Sequence, residues 1–200
     1  MFWDSVSGIY DLFVYIYNRK VHKSLCREIN ELISSSDDVI ECACGTGMLT
    51  EGIAQRCNRL IATDFSSKML KKAEKKCKTY SNVSFEKADI LHLSYPDQSF
   101  DKVIAANVIH LLDEPLGALE ELNRVCRKGG TLIIPTYMNK QANKKTSAFV
   151  VTIGKAGADF KRQFDFDTYK KFFSDAGYSN VKFSLIEGKV SCAVAIITKQ

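Results

Sequence analysis

The sequence predicts an α/β fold: a seven-stranded, mostly parallel sheet with helices on both faces and an antiparallel C-terminal strand. Three observations predict it. Short apolar runs alternate with helix-period segments as far as residue 135, the pattern of a parallel sheet covered by crossover helices. The run Val39-Ile40-Glu41-Cys42-Ala43-Cys44-Gly45-Thr46-Gly47-Met48-Leu49-Thr50 takes two apolar β-formers into a carboxylate, a turn of small residues and a helix start. Near the C-terminus, two strand-like runs flank Gly188-Lys189 and read as a hairpin.

Residues 4 to 33 are predicted helical, because Ile9, Leu12, Phe13, Ile16 and Tyr17, then Val21, Leu25, Ile29, Leu32 and Ile33, recur at helical spacing. Ser34-Ser35-Ser36-Asp37 ends that segment and opens the first strand. A helix is expected over 48 to 57, a strand over 59 to 63, and a helix over 66 to 78 capped by Asp64 or Ser66. Strands follow at 83 to 87 and 101 to 106. Pro115 opens a helix over 115 to 127, Gly129-Gly130 stops it, and a strand covers 131 to 137. Residues 138 to 165 begin polar and basic, pass through the apolar run 148 to 153, and are broken by Gly154 and Gly157. They read as a loop with one helix, a candidate lid. Asp167 is expected to cap a helix over 168 to 176, which Gly177 ends. Strands over 179 to 187 and 190 to 198 complete a single domain over 1–200, with a helical cap at 1–33 and the lid segment at 138–165.

The glycines alone are a weak signal. The dinucleotide fingerprint is G-x-G-x-x-G, and Thr50 stands where its third glycine would be. That glycine lets helix and strand pack closely beside a pyrophosphate. Glu41, four residues before Gly45, suits a ligand with a cationic amino group at the strand tip. Asp64 closes the next apolar run, Leu60-Ile61-Ala62-Thr63. Two strand ends, each with an acid beside a tight turn, describe a site for an adenosine-containing cofactor without a pyrophosphate.

These residues resemble the class I S-adenosylmethionine-dependent methyltransferases, in the small-molecule branch that includes quinone-ring methyltransferases. Glu41-Cys42-Ala43-Cys44-Gly45-Thr46-Gly47 is similar to the family's first motif, acid-x-small-x-Gly-x-Gly. Residues 62 to 66, Ala88-Asp89-Ile90, 99 to 104 and 124 to 134 resemble its second to fifth strand motifs, in order. The resemblance implies a Rossmann-like sheet, S-adenosyl-L-methionine as cofactor and S-adenosyl-L-homocysteine as product. It implies a cofactor site of Tyr10, Glu41, Cys42, Ala43, Gly45, Gly47, Asp64, Phe65, Ser66, Met69, Asp89, Ile90 and Asn107. There Gly45 and Gly47 allow close backbone approach, Asp64 holds the ribose hydroxyls, and Asp89 or the backbone of Ile90 meets the adenine. The Tyr10 region covers the methionine end.

Composition narrows the setting. No apolar run reaches the length of a membrane span. Asp4 and Asp11 stand where a signal peptide would be basic, so none is expected. Seven scattered cysteines read as reduced, buried thiols of a cytoplasmic protein. Cys42 and Cys44 are one residue apart with no second pair, so no metal site is expected. The net charge is +5, and Lys68, Lys71, Lys72, Lys75, Lys76 and Lys78 share a helix whose apolar members face the other way. A solvated helix face explains them; anionic lipid or nucleic acid is the alternative. No stacking aromatics interleave with the basic residues. Asn107-Val108-Ile109-His110 replaces the Asn/Asp-Pro-Pro-aromatic run of family members that methylate base amines. No nucleic-acid partner is therefore expected. The expected acceptor is a small molecule, with peripheral membrane contact left open.

The reaction expected is in-line displacement at the sulfonium methyl, helped mainly by alignment and exclusion of water. His110 and Tyr137 are the candidate catalytic residues, with a structural role for His110 as the rival; His22 and His92 are assigned to the surface. Three competing functions stand beside this one: a nicotinamide-dependent oxidoreductase, a non-catalytic cofactor-binding protein, and a methyltransferase acting on a lipid or quinone at a membrane surface.

Overall fold

The computed structural model describes residues 17–138 and 161–200. Five strands run parallel: β1 (Asp38–Cys42), β2 (Arg59–Asp64), β3 (Val83–Lys87), β4 (Phe100–Ala105) and β5 (Cys126–Tyr137). β6 (Val181–Ile186) and β7 (Cys192–Thr198) form the terminal hairpin, with β7 antiparallel to both β5 and β6. The order across the sheet is β3-β2-β1-β4-β5-β7-β6. The helices are α1 (Arg19–Glu31), α2 (Thr50–Ala54), α3 (Ser67–Cys77), α4 (Pro115–Val125) and α5 (Phe166–Asp175), with one 3-10 turn at Ile109–Leu111.

Alternation along each strand sends successive side chains to opposite faces. Ile40, Cys42, Val103 and Ala105 meet α4 and α5 on one face. Val39, Leu60, Ile104 and Ile133 meet α1 and α2 on the other. The central strands are therefore apolar on both sides, which produces the continuous apolar runs seen in the sequence. α1 buries Val21, Leu25 and Ile29, spaced four apart, against the second face. α3 buries Met69, Leu70, Ala73 and Cys77, and Lys68, Lys71, Lys72, Lys75 and Lys78 are exposed on its other side.

Three local expectations are corrected. The helix expected over 48 to 57 contracts to Thr50–Ala54, because the glycine turn runs on to Leu49. Gly129-Gly130 does not stop α4. The helix ends at Val125 and β5 begins at once, with the glycines absorbed in a register shift between Phe100 and Lys102 of β4. A Cβ on Gly130 would lie 2.9 Å from the carbonyl oxygens of Arg127 and Asp101. α5 is capped by Asp165, not Asp167, in a reciprocal capping box with Thr168.

The start of α1 is pinned to the β6–β7 hairpin. Buried Asn18 donates from Nδ2 to the Val190 carbonyl at 2.8 Å, and its Oδ1 accepts from the Val190 amide at 3.3 Å. Gly188 lies so close that a Cβ there would be 2.2 Å from Cγ2 of Val21. Val21 is buried and β-branched, so it cannot swing away. Gly188→Ala is expected to destabilise the fold by about 1–3 kcal/mol. The loss should appear as a lower urea midpoint at unchanged slope.

Candidate functional site

The strand order reverses between β1 and β4, and crevices at such reversals lie beyond the carboxyl ends of the strands. A cavity of about 400 Å³ opens there. β1 and its turn supply Glu41, Ala43, Cys44, Gly45, Thr46, Met48 and Leu49; β2 supplies Thr63, Asp64 and Phe65. Met69 comes from α3, and Ala88, Asp89 and Ile90 from the loop after β3. Ala106, Asn107, Val108, Leu111 and Leu112 follow β4, Tyr137 ends β5, and His22 and Leu25 come from α1.

Glu41 is 1% exposed. Its Oε2 accepts from the Thr50 hydroxyl at 2.6 Å, which ties the tip of β1 to the first residue of α2. Burial pushes its carboxyl up to about 8; the Thr50 hydrogen bond opposes that shift and the nearby Asp64 adds to it. A buried acid of this kind ionises readily only beside a cation, so this corner can hold an ammonium group.

The turn between β1 and α2 is left-handed at three places: Ala43 (φ 55), Gly45 (φ 57) and Gly47 (φ 78). Ala43 carries a side chain in a conformation that costs an L-residue roughly 1–2 kcal/mol. Asp64 stabilises the turn from outside. Its Oδ2 accepts from the Gly45 amide at 2.8 Å and its Oδ1 from the Ser66 amide at 2.8 Å. Asp64 also lines the cavity, and a carboxylate oxygen accepts more than one hydrogen bond. Gly47 does a different job. A Cβ there would stand 3.0 Å from Cβ of Ala73, so the glycine lets α3 pack against the turn. That is the helix-packing function of the missing third glycine, carried three residues earlier.

Beyond Asp64, Phe65 is half exposed at the rim and Met69 is buried beside it. Asp89 accepts from the Leu91 amide at 3.0 Å, and Ile90 is buried. On the other side, Asn107 (φ 56) adopts the left-handed form that asparagine tolerates. Its amide donates to the Pro135 carbonyl at 2.8 Å and its Oδ1 accepts from the Tyr137 amide at 3.0 Å. The ends of β4 and β5 are thereby latched together.

Of the residues singled out in the sequence, Glu41, Ala43, Gly45, Asp64, Phe65, Met69, Asp89, Ile90, Asn107 and Tyr137 all line the cavity. Four do not. Cys42 points to the opposite face of the sheet, as alternation with Glu41 requires. Gly47 faces Ala73. Ser66 is the N-cap of α3, its hydroxyl accepting from the Met69 amide. His110 is buried behind the wall, and burial lowers its imidazole to about 4, which keeps it neutral. Its carbonyl accepts from the Arg162 amide at 3.1 Å. Tyr10 lies outside the described residues, as do residues 139–160 of the segment read as a lid. His92 is exposed beside Asp89, as expected. His22 is not a surface residue: it sits one helical step from Leu25 and lines the cavity. Its signal was the spacing to Leu25, which puts it at the edge of the buried stripe of α1. Among the described residues no group of three His, Cys, Asp or Glu side chains is placed to hold a metal ion, and no helix is long and apolar enough to cross a membrane.

Comparison with known proteins agrees with this geometry. The methyltransferase domain family matches residues 40–134, from β1 into β5. A demethylmenaquinone methyltransferase of Staphylococcus saprophyticus is 28% identical, covering 94% of this chain and 91% of the relative. A Thermotoga maritima structure, described as a SAM-dependent methyltransferase and possible histamine N-methyltransferase, superposes with a TM-score of 0.77 at 19% identity, over 100% of this chain and 99% of that one. The magnesium protoporphyrin IX methyltransferase of Synechocystis, solved with bound SAH, superposes with a TM-score of 0.69 at 18% identity, over 92% of this chain and 88% of that one. The chain is similar to the class I S-adenosylmethionine-dependent methyltransferases, through the matched domain and through relatives aligned over nearly its whole length. It is a methyl-transferring enzyme, and its cofactor is S-adenosyl-L-methionine.

Glu41 links this site to stability. Its folded-state value lies above the ordinary 4.5, so its contribution is complete below pH 4.5 and is lost as pH rises through about 8. The melting temperature of the ligand-free protein should fall across that window, by at most roughly 1.4 kcal/mol of stability per pH unit. Glu41→Gln, neutral throughout, should flatten the slope. Superimposable wild-type and variant curves would mean that the carboxyl is ionised in the fold.

Proposed function

We propose that the protein methylates a small aromatic acceptor of the reduced-quinone class, by in-line transfer from S-adenosylmethionine. The observation that carries this reading is the lining of the cavity: beside the acids Glu41, Asp64 and Asp89, it is walled by Leu25, Ala106, Val108, Leu111, Leu112 and Tyr137. With the three acids engaged by the cofactor, a flat, weakly polar ring fits the apolar walls that remain. The demethylmenaquinone methyltransferases among the relatives support the same class.

In this reading Glu41 receives the amino group of the cofactor, and Asp64 accepts from the ribose hydroxyls while holding the Gly45 turn. Asp89 meets the adenine amino group, with Phe65, Met69 and Ile90 packing on the ring. Ala43 and Gly45 keep the turn narrow enough for the methionine portion to lie along the backbone. The sulfonium is already activated, so the protein's contribution is orientation and a dry cavity. Tyr137 sits on the acceptor half beside the Asn107 latch and orients the ring.

Calorimetry with S-adenosylhomocysteine tests the cofactor half: micromolar binding is expected, weakened at least tenfold in Asp64→Ala, with no binding of NADH. For the acceptor half, a reduced, water-soluble naphthoquinone with labelled methyl donor should give a methylated product. Turnover of amines or thiols, with none of the naphthoquinol, would sink the acceptor class while leaving the cofactor reading intact.

A further inference from the structure

We propose that Glu121 and Arg124 are positioning residues for the adenine end of the cofactor site, an inference that rests on the assignment of Asp89 to the adenine amino group above. They hold the loop between β3 and β4 from behind, and that loop carries Asp89 and Ile90. Ala88, Asp89 and Ile90 line the cavity at its start. The Ala88 amide donates to the main-chain carbonyl of Asp64 at 3.2 Å. The Leu91 amide donates to Oδ1 of Asp89 at 3.0 Å, and the His92 amide to the Asp89 carbonyl at 3.0 Å. Residues 89 to 92 thus form a closed turn whose exit is Leu93. Its direction is set by what fixes its two ends. β2 fixes the entry through Asp64, and α4 fixes the exit.

Glu121 and Arg124 are one helical step apart on α4, beside its buried stripe of Ala118, Leu119, Leu122 and Val125. Oε1 of Glu121 accepts from the Leu93 amide at 2.6 Å. Nη2 of Arg124 donates to the Leu93 carbonyl at 2.9 Å. Both backbone groups of Leu93 are therefore held by one pair of side chains. Nη1 of Arg124 donates to the Tyr95 carbonyl and to Oδ1 of Asp97, each at 2.8 Å. The pair is locked to itself as a fork, with Nε on Oε2 at 2.7 Å and Nη2 on Oε1 at 2.8 Å. All five N–H donors of the guanidinium are engaged. The guanidinium holds the Glu121 carboxyl below its ordinary range, so the fork stays ionised at neutral pH. The two side chains are 15% and 32% exposed, which shields the fork from solvent in part.

This arrangement serves the loop more than the helix. α4 is held by its own backbone bonds and by its buried stripe. Residues 93 to 97 belong to no strand of the sheet. Without the guanidinium, the exit of the Asp89 turn is tied by fewer bonds and its direction loosens. The consequence for a ligand is selective. A hydrogen bond to the adenine amino group weakens steeply as its angle opens. Apolar packing on the ring is spread over many weak contacts and tolerates the same shift. Loss of the fork is therefore felt in discrimination between bases more than in total affinity.

The test is calorimetry on the full chain with two probes, S-adenosylhomocysteine and S-inosylhomocysteine. In the second a carbonyl oxygen replaces the adenine amino group, so Asp89 faces an acceptor instead of a donor. Wild type should bind the adenosyl compound roughly tenfold more tightly than the inosyl one. Arg124→Met keeps the apolar stem, removes the donors, and should bring the two affinities close to equal. Arg124→Lys keeps the charge without the fork and should retain only part of the preference; it supplies the same readout if Arg124→Met does not fold. Asp97→Asn changes an exposed partner that touches neither Leu93 nor Tyr95, and should keep the full preference. An undiminished preference in both Arg124 variants overturns the proposal. So does an equal loss of affinity for both compounds, which is the signature of a merely structural role. A wild type that binds the two compounds alike overturns the Asp89 assignment and the proposal with it. A preference that survives in the variants rejects the proposal alone.

Discussion

The Asp64 carboxylate clamps two turns together, and the site depends on that clamp. One oxygen takes the Gly45 amide, the other the Ser66 amide. The first bond fixes the glycine turn after β1. The second fixes the entry to α3, whose Met69, Leu70 and Ala73 then cover the sheet edge. Charge-assisted bonds of this kind contribute about 1.5 kcal/mol or more each. That is comparable with the left-handed strain at Ala43 which the turn must sustain. Removing the carboxylate would therefore loosen both turns, not merely delete one ligand contact. The same residue positions the backbone and lines the cavity, so under the proposed reading binding and architecture meet at one side chain.

Glu41 adds a second constraint of opposite sign. Its burial disfavours the charged form, and Thr50 relieves the cost only in part. A fold optimised for stability alone would place an apolar residue at that strand end, as it does at Ile104 on the neighbouring strand. The acid is retained where a cationic ligand group can neutralise it. Under the proposed reading the cofactor's amino group supplies that cation, so binding would offset the cost of burying the acid. Strain at Ala43 and Asn107 lies along the same rim, as is common where a fold has to present backbone to a ligand.

The sheet, and the strand-end acids that line the cavity, were legible in the sequence because both are written in short-range patterns. Apolar runs mark buried parallel strands, and an acid at a strand end beside small residues marks a ligand corner. The boundaries failed where a long-range partner decided them. Gly129 and Gly130 look like a helix stop in isolation, but they serve a bulge against β4 that only the paired strand reveals. Gly47 looks like a second phosphate-type glycine, and only the crossing of α3 shows that Ala73 is what it must admit. The histidines were exchanged for a similar reason. His110 follows a strand end, the usual place for a site residue, yet the 3-10 turn rotates it into the wall. His22 lies in a helix with charged neighbours, and only the docking of α1 brings it to the cavity.

The two sides of the cavity are anchored differently. The strand-end acids sit on turns directly continuous with β1, β2 and β3, so their placement follows from the register of the parallel sheet. The α1 wall has further anchors of its own: Asn18 grips Val190, Glu28 meets Ser184 of β6, and Gly188 gives Val21 room. α1 also packs on Val39, Leu49 and Leu60, so the two sides share one apolar cluster and a large displacement of the helix would reach the glycine turn. Under the proposed reading, small changes at the hairpin anchors would alter the wall that meets the acceptor before they alter the turns assigned to the donor, which is how one sheet can serve different acceptors.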